Sequence, residues 1–164
     1  MFVNVVDKNS PVWLSVAGYA DTCSWDACAR MALFMRKGKF TDWERIIAAE
    51  ENGEYLGFCA IKKPEGFPGF EYSPLIKWVF VEEKHRGKRI SQKLLECACD
   101  YAGKIGFNSV YLTTWHKGLY EKYGFVKLFD KEKSDGYFEG IYEKKTGKIN
   151  RRGETIENGA YHVF

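Results

Sequence analysis

The sequence predicts an α+β fold, a single domain with a mixed central β-sheet flanked by helices, and three observations carry that expectation. Between Trp78 and Ser91 the chain changes period. Trp78-Val79-Phe80-Val81 is a short apolar run, whereas Ile90, Leu94, Ala98, Tyr101 and Ile105 recur at spacings of four, four, three and four. The first pattern is that of a buried strand, the second that of a helix with one apolar stripe. Asn52-Gly53 stands between two strand-like runs, a hairpin signal, because both turn positions need positive φ. Finally, the β-branched run Ser109 to Thr114 follows the helix, so the two flanking strands should be neighbours joined by a right-handed helical crossover.

The elements follow in order. Residues 1–22 are expected to be irregular, punctuated by Pro11 and Gly18, with a short strand at Val12 to Val16. Trp25 to Met35 places Trp25, Cys28, Ala29, Ala32 and Met35 at helical spacing, with Thr22 or Ser24 as cap and Gly38 as stop. Trp43 to Glu50 and Glu54 to Lys62 are the hairpin strands. Lys63 to Pro74, with three prolines and two glycines, is a long loop of the kind that borders binding sites. A strand over Leu75 to Val81 leads to a helix over Arg89 to Lys104, ended by Gly103 and Gly106. Ser109 to Thr114 is a strand, His116 to Tyr123 a short helix, and Phe125 to Phe129 and Tyr137 to Glu143 the closing strands. The domain is expected to span 1–143. Residues 144–164, basic and then acidic, read as a solvated tail or loose hairpin.

Composition narrows the function. A chain of 164 residues with 45% hydrophobic and 29% charged residues is an ordinary globular domain. Its 25 basic and 22 acidic side chains are too evenly balanced for a nucleic-acid binder. No stretch approaches the roughly twenty apolar residues that span a bilayer, and the start lacks the pattern of a signal peptide, so a cytoplasmic protein without a membrane partner is expected. Cys23, Cys28, Cys59, Cys97 and Cys99 form no Cys-x-x-Cys pair and no zinc spacing. They read as free thiols in a reducing compartment, with no metal. No Gly-x-x-x-x-Gly-Lys-Ser/Thr loop occurs, which disfavours that type of nucleotide site.

The turn Arg86-Gly87-Lys88-Arg89-Ile90-Ser91 carries the chemistry. The first N–H groups of a helix have no partner within it, and the dipole there favours negative charge. Basic residues in a first turn oppose that dipole unless an anion is bound, so a phosphorylated ligand is expected. Downstream stands Leu119-Tyr120-Glu121-Lys122-Tyr123-Gly124-Phe125.

In this order the two segments resemble the GNAT superfamily of acyl-CoA-dependent N-acetyltransferases. The first is similar to its pyrophosphate signature, Arg/Gln-x-x-Gly-x-Gly/Ala, and the second to its late Leu-Tyr-x-x-x-Gly-Phe. The resemblance covers about residues 40–143. It departs from the family pattern at Arg89, where the family carries glycine, and at Ser91, where it carries glycine or alanine.

The resemblance implies acetyl-CoA as co-substrate, bound by Arg86, Gly87, Lys88, Arg89, Ile90 and Ser91, with main-chain groups of Phe80 and Val81 pairing with the pantetheine arm. It implies acetyl transfer to a primary amine by direct transfer in a ternary complex; the Trp- and Phe-rich early half and the Pro-rich loop suggest an enclosed cleft and favour a small molecule over a protein amine. A catalytically weak acyl-CoA sensor is the alternative. Tyr120 stands where the family often places the acid that protonates the departing thiolate. A phenol, with a pKa of about 10, is protonated at neutral pH and able to donate. His116, four residues earlier and so expected on the same helical face, is a second catalytic candidate. Glu50, Glu71 and Glu83 are candidates for the base. A homodimer is left open.

Overall fold

The structure is a computed structural model that describes residues 1–65, 69–149, 155–157 and 160–162. In chain order the elements are β1 (Phe2–Val6), α1 (Trp13–Thr22), α2 (Asp26–Arg36), β2 (Arg45–Glu51), β3 (Glu54–Lys62) and β4 (Leu75–Val81). A 3-10 turn at Glu83–His85 leads to α3 (Ile90–Lys104) and β5 (Ser109–Thr114). A second 3-10 turn, Glu121–Tyr123, precedes β6 (Val126–Glu132) and β7 (Phe138–Lys145), and three short strands, β8 (Lys148–Ile149), β9 (Thr155–Glu157) and β10 (Ala160–His162), follow.

Strands are ordered β1-β2-β3-β4-β5-β7-β6, with a second sheet β10-β9-β8. The pairs β1–β2, β2–β3, β5–β7 and β6–β7 are antiparallel. β4 and β5 are parallel, with Leu75 opposite Tyr111. The sheet is therefore mixed, as the sequence predicts. The β2–β3 hairpin turns on Asn52 and Gly53 with φ of 52° and 79°, the left-handed pair that its two-residue loop requires.

The chain divides into two compact units. The first joins Met1–Lys62 to Ile76–Ala98 and the second joins Lys63–Leu75 to Cys99–Phe164. In the first, α1 buries Trp13, Val16, Ala17 and Ala20, and α2 buries Cys28, Met31, Ala32 and Met35. Both stripes follow the i, i+3, i+4, i+7 spacing of one helical face. They share a core with Ile46, Ala48, Phe58, Ala60 and Phe80, and the Trp13 indole N–H donates to the Met35 carbonyl at 3.3 Å. On α3, Ile90, Leu94, Leu95 and Ala98 are buried.

The start of the chain corrects the sequence reading. Residues 1–22 are not irregular. β1 pairs with β2, and Val12 to Val16 is no strand, because Trp13 onward is helix. Alternating Val12, Leu14 and Val16 fits a strand over five residues, but the stripe ending at Ala20 can be buried only by a helix. Neither Thr22 nor Ser24 caps α2, whose N-cap is Trp25. The Thr22 hydroxyl donates to the Tyr19 carbonyl. Gly38 does close α2, with φ of 64°.

In the second unit Cys99, Ala102, Val110, Leu112, Phe125, Ile141 and Tyr142 are buried. From the 63–75 segment, Tyr72 packs edge-on against Tyr111 at 5.2 Å and tilted against Phe129 at 5.6 Å. The expected boundary at 143 falls inside β7, which pairs Lys144 with Val110 and Lys145 with Ser109. Thr146 is buried and bonds to Phe107 and Asn108. Hydrogen bonding, which a basic composition does not reveal, thus holds 144–146 to the fold. Residues 150–154, 158, 159, 163 and 164 of the expected tail lie outside the described residues.

The Glu44–Lys62 ion pair is fully buried. Lys62 Nζ lies 3.0 Å from Glu44 Oε2, also donates to the Lys39 carbonyl at 2.5 Å, and sits 4.1 Å from the Phe40 ring centroid. Glu44 Oε2 accepts the Thr41 N–H at 2.9 Å. Removing one partner leaves an uncompensated buried charge, which is strongly unfavourable. Lys62→Met should therefore lower the stability measured by urea unfolding by about 3–5 kcal/mol. A loss below about 1 kcal/mol would mean that Glu44 reaches water.

Candidate active site

The expected anion-binding segment lies in the first unit. β4 delivers it: Phe80 is buried and stacked on Phe58 at 5.6 Å, and Val81 is half-buried. Gly57 on β3 lets the strands approach closely, since a Cβ there would stand 2.4 Å from the Phe80 carbonyl oxygen. The pairing continues past the strand end, where the Glu82 N–H donates to the Leu56 carbonyl at 2.9 Å. Beyond Glu83–His85 the chain folds back, and Arg86 Nε donates to the Val81 carbonyl at 3.0 Å.

Gly87 has φ of 83° and open space around it. Arg89 has φ of 57°, a left-handed conformation that non-glycine residues enter at a cost of about 1 kcal/mol. Position 89 is where the signature carries glycine, and its backbone takes a conformation that glycine adopts freely. Arg86, Lys88 and Arg89 are exposed and Ile90 is buried, turning the start of α3 inward. The Arg89 carbonyl accepts the Lys93 N–H at 3.2 Å. The helix thus starts at this turn, where its dipole favours negative charge. The first turn of α3 holds no acidic residue. A helix start with basic residues and a left-handed turn can accept the oxygens of a phosphate.

His85, just before this turn, is half-buried, and its Nε2 is buried without a hydrogen-bond partner among the described residues. It stands 3.8 Å from Glu54 Oε1, beyond hydrogen-bond reach.

The two catalytic candidates lie in the second unit, and the structure corrects their expected geometry. His116 to Tyr123 is not a helix. The His116 N–H donates to Thr114 Oγ1 at 3.0 Å, Gly118 takes φ of 83°, and only Glu121–Tyr123 makes a turn, closed by Gly124 at φ of 85°. A left-handed residue at 118 interrupts any helix between the candidates, so the i, i+4 relation carries nothing. His116 is exposed and stacked on Trp115 at 4.0 Å. Tyr120 is half-buried and meets Tyr123 and Phe125 edge-on at 6.4 and 6.1 Å.

Of the candidate bases, Glu50 pairs with Phe2 and Tyr55 near the hairpin end of β2. Glu71 is exposed in the second unit, and Glu83 accepts from Ser24 Oγ at 3.2 Å. The carboxylate that the sequence reading missed is Glu82. It directly follows β4 and accepts from the Tyr19 hydroxyl at 3.3 Å. Tyr19 comes from α1, so nothing in the local sequence signals the contact. Burial, then the neighbouring Cys23 and Glu82, push the Tyr19 phenol well above its usual range. It therefore donates at any ordinary pH. Burial pushes Cys23 up and Cys28 up to about 12, so both act as neutral apolar groups.

Residues 42–127, just over half the chain, match the family model of the acetyltransferase (GNAT) domain. An uncharacterised N-acetyltransferase of Bacillus subtilis, YhfO, is 33% identical over 85 residues, which make up 49% of this chain and 57% of that protein. The match thus spans a little over half the length of the curated relative. An aminoglycoside 6'-N-acetyltransferase complexed with coenzyme A superposes with a TM-score of 0.66 at 16% identity, covering 89% of this chain and 97% of that one. A variant of the spermidine N-acetyltransferase SpeG of Vibrio cholerae gives 0.63 at 14% identity, covering 92% and 96%. At such identities the likeness is one of fold. No helix among the described residues is long and apolar enough to cross a membrane.

The left-handed backbone at position 89 is testable without any ligand. Arg89→Gly should stabilise the protein by about 0.5–1 kcal/mol relative to Arg89→Ala in urea unfolding, because only glycine adopts that φ freely. Equal stabilities would show that residue 89 is not left-handed in solution.

Proposed function

Since the chain belongs to the GNAT acetyltransferase family, we propose that it transfers an acetyl group from acetyl-CoA to a primary amine of a small molecule, directly within a ternary complex. The observation that carries this reading is the turn from Arg86 to Arg89. Position 89, where the family signature carries glycine, has a left-handed backbone here, and the turn adds three exposed basic side chains at the start of α3. Its N–H groups and cations hold the pyrophosphate of the co-substrate, and Phe80 and Val81 offer main-chain groups to the pantetheine arm.

The thioester supplies an activated acyl group. The amine nitrogen bonds to the carbonyl carbon, the carbon–sulfur bond breaks, and the amine's surplus proton passes to a base or to water. A thiol with a pKa of about 8.5 is only a fair leaving group, so a proton delivered to the sulfur helps it depart. Tyr120 provides that proton in this reading. Its half-buried ring meets Tyr123 and Phe125 edge-on.

Millimolar acetyl-CoA should raise the Tm by ligand linkage, and ATP or NAD should do so much less. Gly87→Val should fold and yet lose most of that rise, because a β-branched residue is strained at φ of 83° and misaims the turn. An unchanged Tm in the wild-type protein overturns the co-substrate assignment.

Tyr120→Phe keeps the ring and removes one hydroxyl. Positioned acid catalysis contributes about a hundredfold or more, so turnover should fall roughly ten- to thousandfold with acetyl-CoA affinity nearly unchanged. Unaltered turnover would assign the proton to His116 or to solvent. Loss of stability alone would make Tyr120 a packing residue.

A further inference from the structure

Tyr120 stands at the start of a short segment with little support of its own. Glu121–Tyr123 is a single turn of 3-10 helix, and so short a piece is marginal unless other elements hold it. Its internal bonds are few. The Tyr120 carbonyl accepts the Tyr123 N–H at 3.0 Å and the Phe125 N–H at 3.1 Å, and the Glu121 carbonyl accepts the Gly124 N–H at 3.1 Å. Further support comes from β7, within the same unit. Side chains alternate across a strand, so Gly140, Tyr142 and Lys144 share one face of β7.

Two of these residues reach the turn. Tyr142 is 1% exposed, and its hydroxyl donates to Glu121 Oε1 at 3.2 Å. Gly140 makes room for that ring, since a Cβ there would stand 2.6 Å from Tyr142 Cε2. Burial, then the bond to Glu121, pushes the Tyr142 phenol above its usual range, so it remains a donor at neutral pH. Lys144 is half-buried, passes within 3.6 Å of the Cβ position of Gly124, and donates to the Tyr123 carbonyl at 2.8 Å. The last carbonyls of a helical turn have no partner within it, and the ammonium group supplies one. The segment is thus tied to the sheet one residue after Tyr120 and again two residues further on.

We propose that Tyr142 and Lys144 are positioning residues for acetyl transfer, which by holding Glu121 and Tyr123 place Tyr120 to deliver its proton to the departing sulfur. The inference rests on the reading of Tyr120 as the acid. Its O–H bond breaks as the S–H bond forms, and the phenolate then regains a proton from water. Neither Tyr142 nor Lys144 touches the reacting atoms, and each acts through the turn. Proton delivery is sensitive to misplacement by about an ångström. A turn loosened at either tie therefore leaves a folded protein whose acid is badly aimed.

The test reads thiol release from acetyl-CoA with benzylamine, 1,4-diaminobutane or water as acyl acceptor, in the wild-type and Tyr120→Phe backgrounds. Tyr142→Phe and Lys144→Met should each lower kcat about three- to thirtyfold, with the KM for acetyl-CoA and its Tm rise nearly unchanged. Lys144→Arg keeps a donor for the Tyr123 carbonyl and should recover most of the rate. In the Tyr120→Phe background the same two changes should alter kcat less than about twofold, because residues that act through one group are not additive. Rate losses of equal size in both backgrounds would make Tyr142 and Lys144 structural and overturn the proposal, as would an unchanged kcat in both single variants. Should Tyr142→Phe fail to fold, Lys144→Met and Glu121→Ala carry the same comparison. If Tyr120→Phe turns over like the wild type, the acid reading fails first and the proposal falls with it. If acetyl-CoA raises the Tm but none of the three acceptors yields thiol, the transfer reading and the proposal fall while the co-substrate reading stands.

Discussion

At Gly57 strand β3 comes so close to β4 that a Cβ would stand 2.4 Å from the Phe80 carbonyl oxygen and 3.0 Å from the Val81 Cα. Much of the first unit depends on that approach. It carries the backbone pairing on to Glu82, whose N–H reaches Leu56. It holds the Phe80 ring on Phe58, and through Phe58 beside Tyr19. The exit direction of β4 then sets where the turn begins and where the Glu82 carboxylate stands. Only a residue without a side chain permits this, because the obstructing atoms are backbone and cannot rotate aside.

Charge in the first unit is arranged to a pattern. Glu44 and Lys62 are buried as a pair, with further hydrogen bonds to Thr41 and Lys39, so neither charge is left bare. Arg86, Lys88 and Arg89 stay exposed at a helix start, where basic groups are locally unfavourable. Glu82 accepts from the Tyr19 hydroxyl. The paired charges are intelligible as structure. The basic turn is intelligible as a binding group for an anionic co-substrate, which is how the proposed reaction uses it.

The errors of the sequence reading have local physical causes. In α1, Val12, Leu14 and Val16 alternate as in a strand, and Gly18 looks like a break. Gly18 has open space around it and lies within the helix, whose stability comes from burying Trp13 to Ala20 in a core shared with α2. Around His116 the error is the reverse. Helical spacing is present, but Gly118 in a left-handed conformation prevents the chain from using it. Glycine punctuates only where the surrounding packing calls for its special conformations, and packing is a property of residues distant in sequence.

By itself the sequence determined the elements whose signals are local. These are the Asn52-Gly53 hairpin, the strand over Leu75–Val81, the amphipathic α3 and the basic turn between them. Each rests on a period or on a backbone requirement that a few neighbouring residues state completely. The family signature was legible for the same reason, being a short run at a strand–helix junction. The tertiary structure decided what depends on contacts across the chain. It made α1 a helix through its packing with α2, and tied residues 144–146 to the fold through Val110, Phe107 and Asn108. It also gave position 89 the conformation of an absent glycine and set the Tyr19 hydroxyl on Glu82 across 63 residues of sequence. Nothing in the local sequence encodes such a meeting, because it exists only after the strands and helices that carry its partners have packed.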